Sequence, residues 1–244
     1  MTVKVVSLDH QPKIFKVLIY GEFGAGKTYL SGTSSECKPM GPVLFGNVEG
    51  GELTIRANSN MKQTERIESF SEAEKLVNAV HDGVKEFSPY KTLIIDSLTA
   101  VRDLLAEELM ARPNRKLDSL TMQEWGIINI SMKRFCRALV NLPINVIATA
   151  LPRFYYPKTK EENPAVDPIE VCPDFSRKLS NSIAAMFDSV WYLYDDNGTR
   201  HLLTQKQEPY AAKTRGKQFA DSIGVDVKNP SFVKLYDALI KSGK

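Results

Sequence analysis

Cysteine is scarce in this chain. Three stand in 244 residues, Cys37, Cys136 and Cys172, odd in number and far apart. That argues against a disulfide framework and for a reducing compartment. The three histidines, His10, His81 and His201, are as scattered, which leaves no zinc-ligand spacing. An excess of one charge is also missing. The formal net charge is +3, so any nucleic-acid site has to be a local patch. No apolar run approaches the ~18 residues of a membrane span. The first thirteen residues, MTVKVVSLDHQPK, have no apolar signal-peptide core. The expectation is a soluble cytosolic protein without a membrane partner. No internal repeat or low-complexity stretch is present either. What remains is ordinary globular composition, 43% hydrophobic and 25% charged, in a chain that fits one large domain, or one domain with a small appendage, and can bury a substantial core.

Apolar runs alternate with segments of helical period, the pattern of an α/β fold with a mostly parallel central sheet flanked by helices. Strands are expected at 14–20, 42–48, 92–96 and 144–150. A helix should start near Lys27. Ser71 and Glu74 have the spacing of a capping box, and Ala73, Leu76, Val77, Val80, Val84 and Phe87 continue it at helical period. Leu98, Val101, Leu104 and Leu105 line another helix. Thr121 and Glu124 form a second capping box, opening a helix to about Asn141. Residues 151–173 hold five prolines and read as a long irregular segment, which is usually functional or mobile. Residues 188–194 and 199–205 flank Asp-Asp-Asn-Gly, a C-terminal β-hairpin. Asn229-Pro230 opens a last amphipathic helix with Phe232, Leu235, Leu239 and Ile240 on one side. The expected organisation is a leader over 1–13 (a candidate oligomer contact), a core over 14–220 and a C-terminal helical segment over 221–244.

The stretch GEFGAGKTY, Gly21, Glu22, Phe23, Gly24, Ala25, Gly26, Lys27, Thr28 and Tyr29, contains G-x-x-x-x-G-K-[ST] in full. It sits between a strand and a helix, as phosphate binding requires. The glycines let backbone N–H groups wrap phosphates, Lys27 reaches the β and γ phosphates, and the Thr28 hydroxyl can hold Mg²⁺. Asp96 ends the apolar strand TLIID and suits an acid that orients Mg²⁺ through water; Ser97 is placed to share that role. No acid directly follows Asp96, so a water-activating base has to come from elsewhere. Glu49, in NVEGG, closes the second strand, and strand C-termini are where open α/β sheets place ligands. Glu52 is its rival, and a solvated loop acid is the bland alternative.

This arrangement resembles the RecA-like ATPases, a P-loop NTPase core in which the catalytic glutamate follows the second core strand. The carriers are GEFGAGKT, NVEGG, TLIIDS, INVIATA and AAKTR, and the resemblance spans about Ile14 to Gln218. The short chain and its element order look most like the RecA-like single-strand-annealing recombinases of bacteriophages, placed among AAA-type domains. The resemblance implies ATP and Mg²⁺ as cofactors, with Lys27 and Thr28 on phosphate and metal, Glu49 on water and Asp96 behind the metal. It implies a γ-phosphate sensor at the end of the strand after Asp96. Thr149 is the polar candidate, and Leu151 stands where many relatives carry His or Gln. It also implies that Lys213 and Arg215, on one face of an extended segment, reach a neighbouring subunit's γ-phosphate. Self-assembly into a ring or filament follows from that. A solvated basic run is the alternative.

Relatives of this kind hold single-stranded DNA on two loops. The first corresponds here to Arg112, Arg115 and Lys116. The second corresponds to PRFYYPKTK, with Arg153, Phe154, Tyr155, Tyr156, Lys158 and Lys160, supplemented by Arg177 and Lys178. Cations track a backbone while rings stack on bases; the alternative is that the rings pack under the loop or at a subunit contact. The implied function is DNA-stimulated ATP hydrolysis coupled to strand annealing or recombination in a bacterial host cytoplasm, with a single-strand-binding protein as a further candidate partner. A DnaB-type helicase or loader motor and a nucleotide-switched replication scaffold are the alternatives.

Overall fold

Side chains alternate across a central sheet in the computed structural model, which describes residues 14–58, 60–113, 118–157 and 166–241. In chain order the elements are β1 (Lys16–Tyr20), α1 (Lys27–Gly32), β2 (Val43–Asn47), β3 (Met61–Gln63), α2 (Phe70–His81), β4 (Thr92–Asp96), α3 (Leu98–Met110), α4 (Met122–Val140), β5 (Asn145–Ala150), β6 (Pro152–Tyr155), β7 (Glu170–Pro173), α5 (Arg177–Met186), β8 (Ser189–Asp196), β9 (Thr199–Leu203), β10 (Lys213–Thr214), α6 (Lys217–Ile223), β11 (Asp226–Lys228) and α7 (Phe232–Lys241). The main sheet has nine strands in the order β11-β9-β8-β1-β5-β4-β2-β3, with β10 also on β8. The strands from β8 to β3 run parallel, and β9, β10 and β11 add antiparallel partners at one side. This is an α/β fold with a mostly parallel sheet and helices on both faces.

The apolar strands are buried on both faces because each face has its own helical layer. Leu18, Tyr20, Leu93, Ile95, Val146 and Ala148 face α2, α3, α4 and α5. Val17, Ile19, Ile94 and Ile147 face α1, α6 and α7. The period-2 alternation of the strands produces this split. The three cysteines are free and buried. Among the described residues no helix is long and apolar enough to cross a membrane.

Several expectations shift. The cap of α2 is Ser69, which accepts from the Glu72 backbone N–H at 3.1 Å while Glu72 accepts from the Glu68 N–H at 2.8 Å. Ser-x-x-Glu occurs twice here in offset registers, and the earlier one buries Phe70. α2 ends at His81, because Gly83 turns left-handed at φ +67°, so Val84 and Phe87 fall outside it. Thr121 and Glu124 do form a full capping box on α4. The long segment 151–173 is not wholly irregular: β6 and β7 pair antiparallel as a separate two-stranded sheet. Asn197 and Gly198, at φ 51° and 86°, close the β8–β9 hairpin, as a two-residue turn with positive φ at both positions requires. Within 221–244, β11 extends the sheet, and Phe232 and Leu235 are buried in the second core. The leader 1–13 lies outside the described residues.

Candidate active site

Parallel register gathers the candidate residues at one edge. Asn47 is level with Asp96, Ile95 with Ala148, and Ile19 with Thr149. The C-terminal ends of β1, β2, β4 and β5 therefore meet there, where open α/β sheets bind ligands. Strand β5 separates β1 from β4, so Asp96 lies two strands, about 10 Å, from the strand that feeds the glycine loop. The loop closes this gap by turning across β5 into α1. Thr28 Oγ1 then donates to Asp96 Oδ2 at 2.7 Å. Thr149 Oγ1 donates to the other oxygen, Oδ1. Asp96 is 3% exposed and Thr149 fully buried, so the two hydroxyls fix the carboxylate's orientation. A Cβ on Gly51 would stand 3.1 Å from both Asp96 Oδ2 and Thr28 Cγ2, so a side chain there would crowd this pair.

Lys27 arches back over its own loop. Its ammonium donates to the carbonyls of Gly21 at 2.7 Å and Glu22 at 2.8 Å, and a lysine has three N–H groups to give. Burial pulls the Lys27 ammonium below the ordinary lysine range, while the carboxylates of Asp96, Glu49 and Glu22 oppose that shift. Gly26 takes φ +94°, a conformation that favours glycine.

The two rival glutamates separate. Ser97 Oγ donates to Glu49 Oε1, and the Glu49 backbone N–H donates to the Asp96 carbonyl at 3.2 Å. Glu49 thus hangs beside the acid that ends β4. Glu52 turns back instead and accepts from Asn47 Nδ2 at 3.2 Å. The Lys27 ammonium feels Glu49 and not Glu52 among its charged neighbours. Ser97 was legible only as a neighbour of Asp96. Its contact with Glu49 spans 48 residues of sequence and has no sequence signal.

Lys213 and Arg215 are not brought to this edge. β10 pairs with Ser189 and Val190 at the start of β8. Arg215 Nη1 donates to Asp188 Oδ1 at 2.5 Å, and the Asp188 N–H donates to the Lys16 carbonyl at 2.9 Å. Arg215 therefore lies level with the first residue of β1, whose five residues put about 16 Å between it and the chain's own phosphate loop. Burial, then the neighbouring Arg215, pushes Lys213 below the ordinary lysine range, with Asp188 opposing.

The second expected DNA loop is partly self-satisfied. The Arg153 and Arg177 guanidinium groups lie over the Tyr155 ring at 5.7 and 5.4 Å. Arg177 pairs with Glu170 at 2.5 Å, and Arg153 approaches Asp174 at 3.6 Å. Phe154, across from Val171, packs partly buried against the core, as in the packing alternative for these rings. Tyr156, Lys178 and Arg112 are exposed. Arg115, Lys116, Lys158 and Lys160 lie outside the described residues. A cleft of about 870 Å³ runs along the edge strand β3 between Pro42, Asn60 and Tyr90, away from this chemistry. Arg200, on β9, had no sequence signal at all: its guanidinium sits 4.5 Å from the centre of the Tyr29 ring.

Compared with known proteins, residues 13–216 match the family model described as an AAA domain. The chain belongs to this AAA-domain family. It is a P-loop ATPase domain, which implies nucleotide binding. No curated protein matches it. Among solved structures, the crystal structure of the RadB recombinase is similar at 15% identity and a TM-score of 0.43, over 79% of this chain and 81% of that one. That likeness is too distant to bear on function. The AAA domain's own residues fit Mg²⁺. Among the described residues no cluster of three or more His, Cys, Asp and Glu could hold a metal alone. Mg²⁺ takes most of its ligands from phosphate and water and needs only one or two protein groups, which the Thr28–Asp96 pair provides.

Proposed function

We propose that this AAA domain hydrolyses ATP with Mg²⁺, binds single-stranded DNA and promotes strand annealing or recombination as a RecA-like assembly of the bacteriophage type. The observation that carries the ATPase reading is Asp96 held by Thr28 and Thr149, with Lys27 and Glu49–Ser97 on the same sheet edge. The loop N–H groups and Lys27 hold the β and γ phosphates. A hydroxyl has one proton to give and two lone pairs to offer, so Thr28 could keep its bond to Asp96 and still offer oxygen to a bound Mg²⁺. Mg²⁺ supplies charge neutralisation across the phosphates. Glu49, held by Ser97 through one oxygen, takes a proton from water as the water oxygen attacks the γ-phosphorus and ADP leaves.

Self-assembly is supported by the position of Arg215. An arginine about 16 Å from its own loop serves a phosphate only in another subunit, through a head-to-tail contact that closes as a ring or continues as a filament. DNA binding draws on Arg112, Arg153, Tyr156 and Lys178, with a single-strand-binding protein as a further partner. One observation favours a second reading, a nucleotide-switched scaffold. The cations around Tyr155 already meet Glu170 and Asp174, which weakens an anion site. The deciding experiment measures ATP turnover with and without single-stranded DNA, and images the same mixtures for rings or filaments. Stimulation with assembly supports annealing or recombination; turnover indifferent to DNA supports the scaffold.

A further inference from the structure

The phosphate loop accounts for the triphosphate and leaves the base without a partner. Next to the loop lies a constellation that none of the roles above uses. Arg200 is the second residue of β9, just past the Asn197–Gly198 turn. Its alternation with buried Leu202 puts it on the sheet face that carries Leu30 and α1. There the guanidinium carbon lies 4.5 Å from the Tyr29 ring centre. The same side chain presses on the loop itself: a Cβ on Gly26 would come within 2.4 Å of Arg200 Nε. Gly26 thus serves the loop's left-handed turn and also admits a guanidinium against its backbone.

Among the described residues no carboxylate pairs with that guanidinium. Its cross-strand neighbour is Asp195, the natural ion-pair partner, yet Asp195 Oδ1 accepts from the Gly198 N–H at 2.8 Å and caps the turn. Among the described residues Arg200 has no ion pair within 4 Å. Its backbone is pinned, since the Asn229 N–H donates to the Arg200 carbonyl at 2.7 Å. On the opposite face of the hairpin, His201 stacks on Tyr194 and bonds Asp226 at 2.8 Å, which stiffens the strand that presents Arg200.

We infer that Arg200, backed by the Tyr29 ring, forms the shelf on which the base of a purine nucleoside triphosphate stacks. A planar, weakly hydrated guanidinium stacks on aromatic faces in a way an ammonium does not. Two fused rings cover that plane more fully than one, so the shelf favours purine over pyrimidine. The inference rests on the phosphate-loop reading and adds what that loop cannot supply, recognition of the base.

The test compares ATP, CTP and inorganic tripolyphosphate, which has no base, by equilibrium binding to the full chain. Wild type, Arg200→Ala, Arg200→Lys and Lys27→Ala are measured, with thermal unfolding of each as a folding check. Arg200→Ala should weaken ATP about tenfold (about 1.4 kcal/mol), leave tripolyphosphate within about twofold, and bring ATP and CTP close together. Arg200→Lys keeps the charge without the plane and should behave like Arg200→Ala. Equal loss of ATP and tripolyphosphate in Arg200→Ala, rescued by Arg200→Lys, makes Arg200 a phosphate contact and overturns the shelf. Unchanged ATP binding in both variants overturns it too. Lys27→Ala should lose both ligands; if it loses neither, the phosphate-loop reading fails, independently of the Arg200 result.

Discussion

Replacing Arg215 with Ala tests whether the ATP site is shared between subunits. The side chain is held by Asp188 and, at 3.3 Å, by the Ala185 carbonyl, at the end of the sheet opposite the phosphate loop. Its ion pair is half open to water, with side chains 59% and 37% exposed. Such pairs contribute at most ~1 kcal/mol, so the variant should melt only about 2–4 °C below wild type. ATP affinity should stay within about twofold of wild type, because no contact to the loop of the same subunit is lost. Turnover in the assembled state should fall by about 10³-fold or more, the scale of a trans arginine. Lys27→Ala fails for the complementary reason, since its loop is broken and its Arg215 intact. In a head-to-tail assembly mixed at equal amounts, about a quarter of interfaces pair an intact loop with an intact arginine. The mixture should therefore regain about a quarter of the wild-type rate, while each variant alone stays inactive. Assembly is followed by light scattering and turnover by phosphate release. If co-assembly is verified and no ratio of the two variants recovers activity, Arg215 does not act across the interface, and the head-to-tail reading loses its support.

Glu49→Gln should bind ATP normally and nearly stop turnover, since the amide keeps the Ser97 contact and loses the basicity. Glu52→Gln, whose carboxylate faces Asn47, should turn over almost normally, and the reverse pattern in a phosphate-release assay would identify the other acid. Single-strand binding should depend more on exposed Tyr156 than on Tyr155, whose ring already meets two guanidinium groups. Arg153→Ala should flatten the salt dependence of binding by about 0.7, one lost phosphate contact, whereas a titration insensitive to Arg153 and Tyr156 together moves the DNA site off this hairpin. Lys16 gives a prediction in pH. It is buried, donates to the Leu142 and Ile144 carbonyls at 2.5 Å, and is pulled down to about 8 by burial, with Asp188 opposing. Below pH 8 both folded and unfolded states hold this proton. Between 8 and the unfolded value of 10.5 the unfolded state binds more of it, so this group's contribution to stability rises with pH, by at most ~1.4 kcal/mol per unit. Burial raises the Cys37, Cys136 and Cys172 thiols and the Tyr20 and Tyr192 phenols, which works in the opposite sense within the same range, so the reading is the difference in slope between wild type and a variant without Lys16. In urea unfolding, stability should rise more with pH, or fall less, in wild type than in Lys16→Met; equal slopes would refute it.

The parts of the site that read directly from sequence are those the backbone carries. GEFGAGKT announces itself because phosphate binding needs contiguous glycines, a lysine and a hydroxyl at fixed offsets. The buried strand TLIID announces Asp96 because a charge at the end of an apolar strand is costly without a purpose. Parallel strands make their C-terminal ends meet, so Glu49 and Thr149 were legible as neighbours of Asp96 once their strands were. The misreadings share a different origin. Ser71–Glu74 and Ser69–Glu72 present the same capping pattern, and only the burial of Phe70 chooses between them. Short pieces such as β3, β10 and β11 have two or three residues each, too few for a period to show.

Pairing between distant side chains is the part that sequence hides, and here it changes the chemistry. PRFYYPKTK reads as free cations among free rings. Tyr155 is instead clasped by Arg153 and Arg177, whose charges are met by Asp174 and Glu170 on other segments. Asp195 and Arg200 show the opposite case. The cross-strand pairing of Asp195 with Arg200 predicts an ion pair, but the turn claims the carboxylate first through the Gly198 N–H, and the freed guanidinium comes to rest on Tyr29 beside the phosphate loop. A charge is available for function where its obvious partner is occupied by the backbone. By that criterion the nucleotide edge keeps Arg200 open, while Arg153 and Arg177 beside the β6–β7 pair meet carboxylates of their own chain. A strand of DNA on that hairpin would have to displace Glu170 and Asp174 from their arginines, which makes its affinity depend on salt through those exchanged pairs as well as through phosphate contacts.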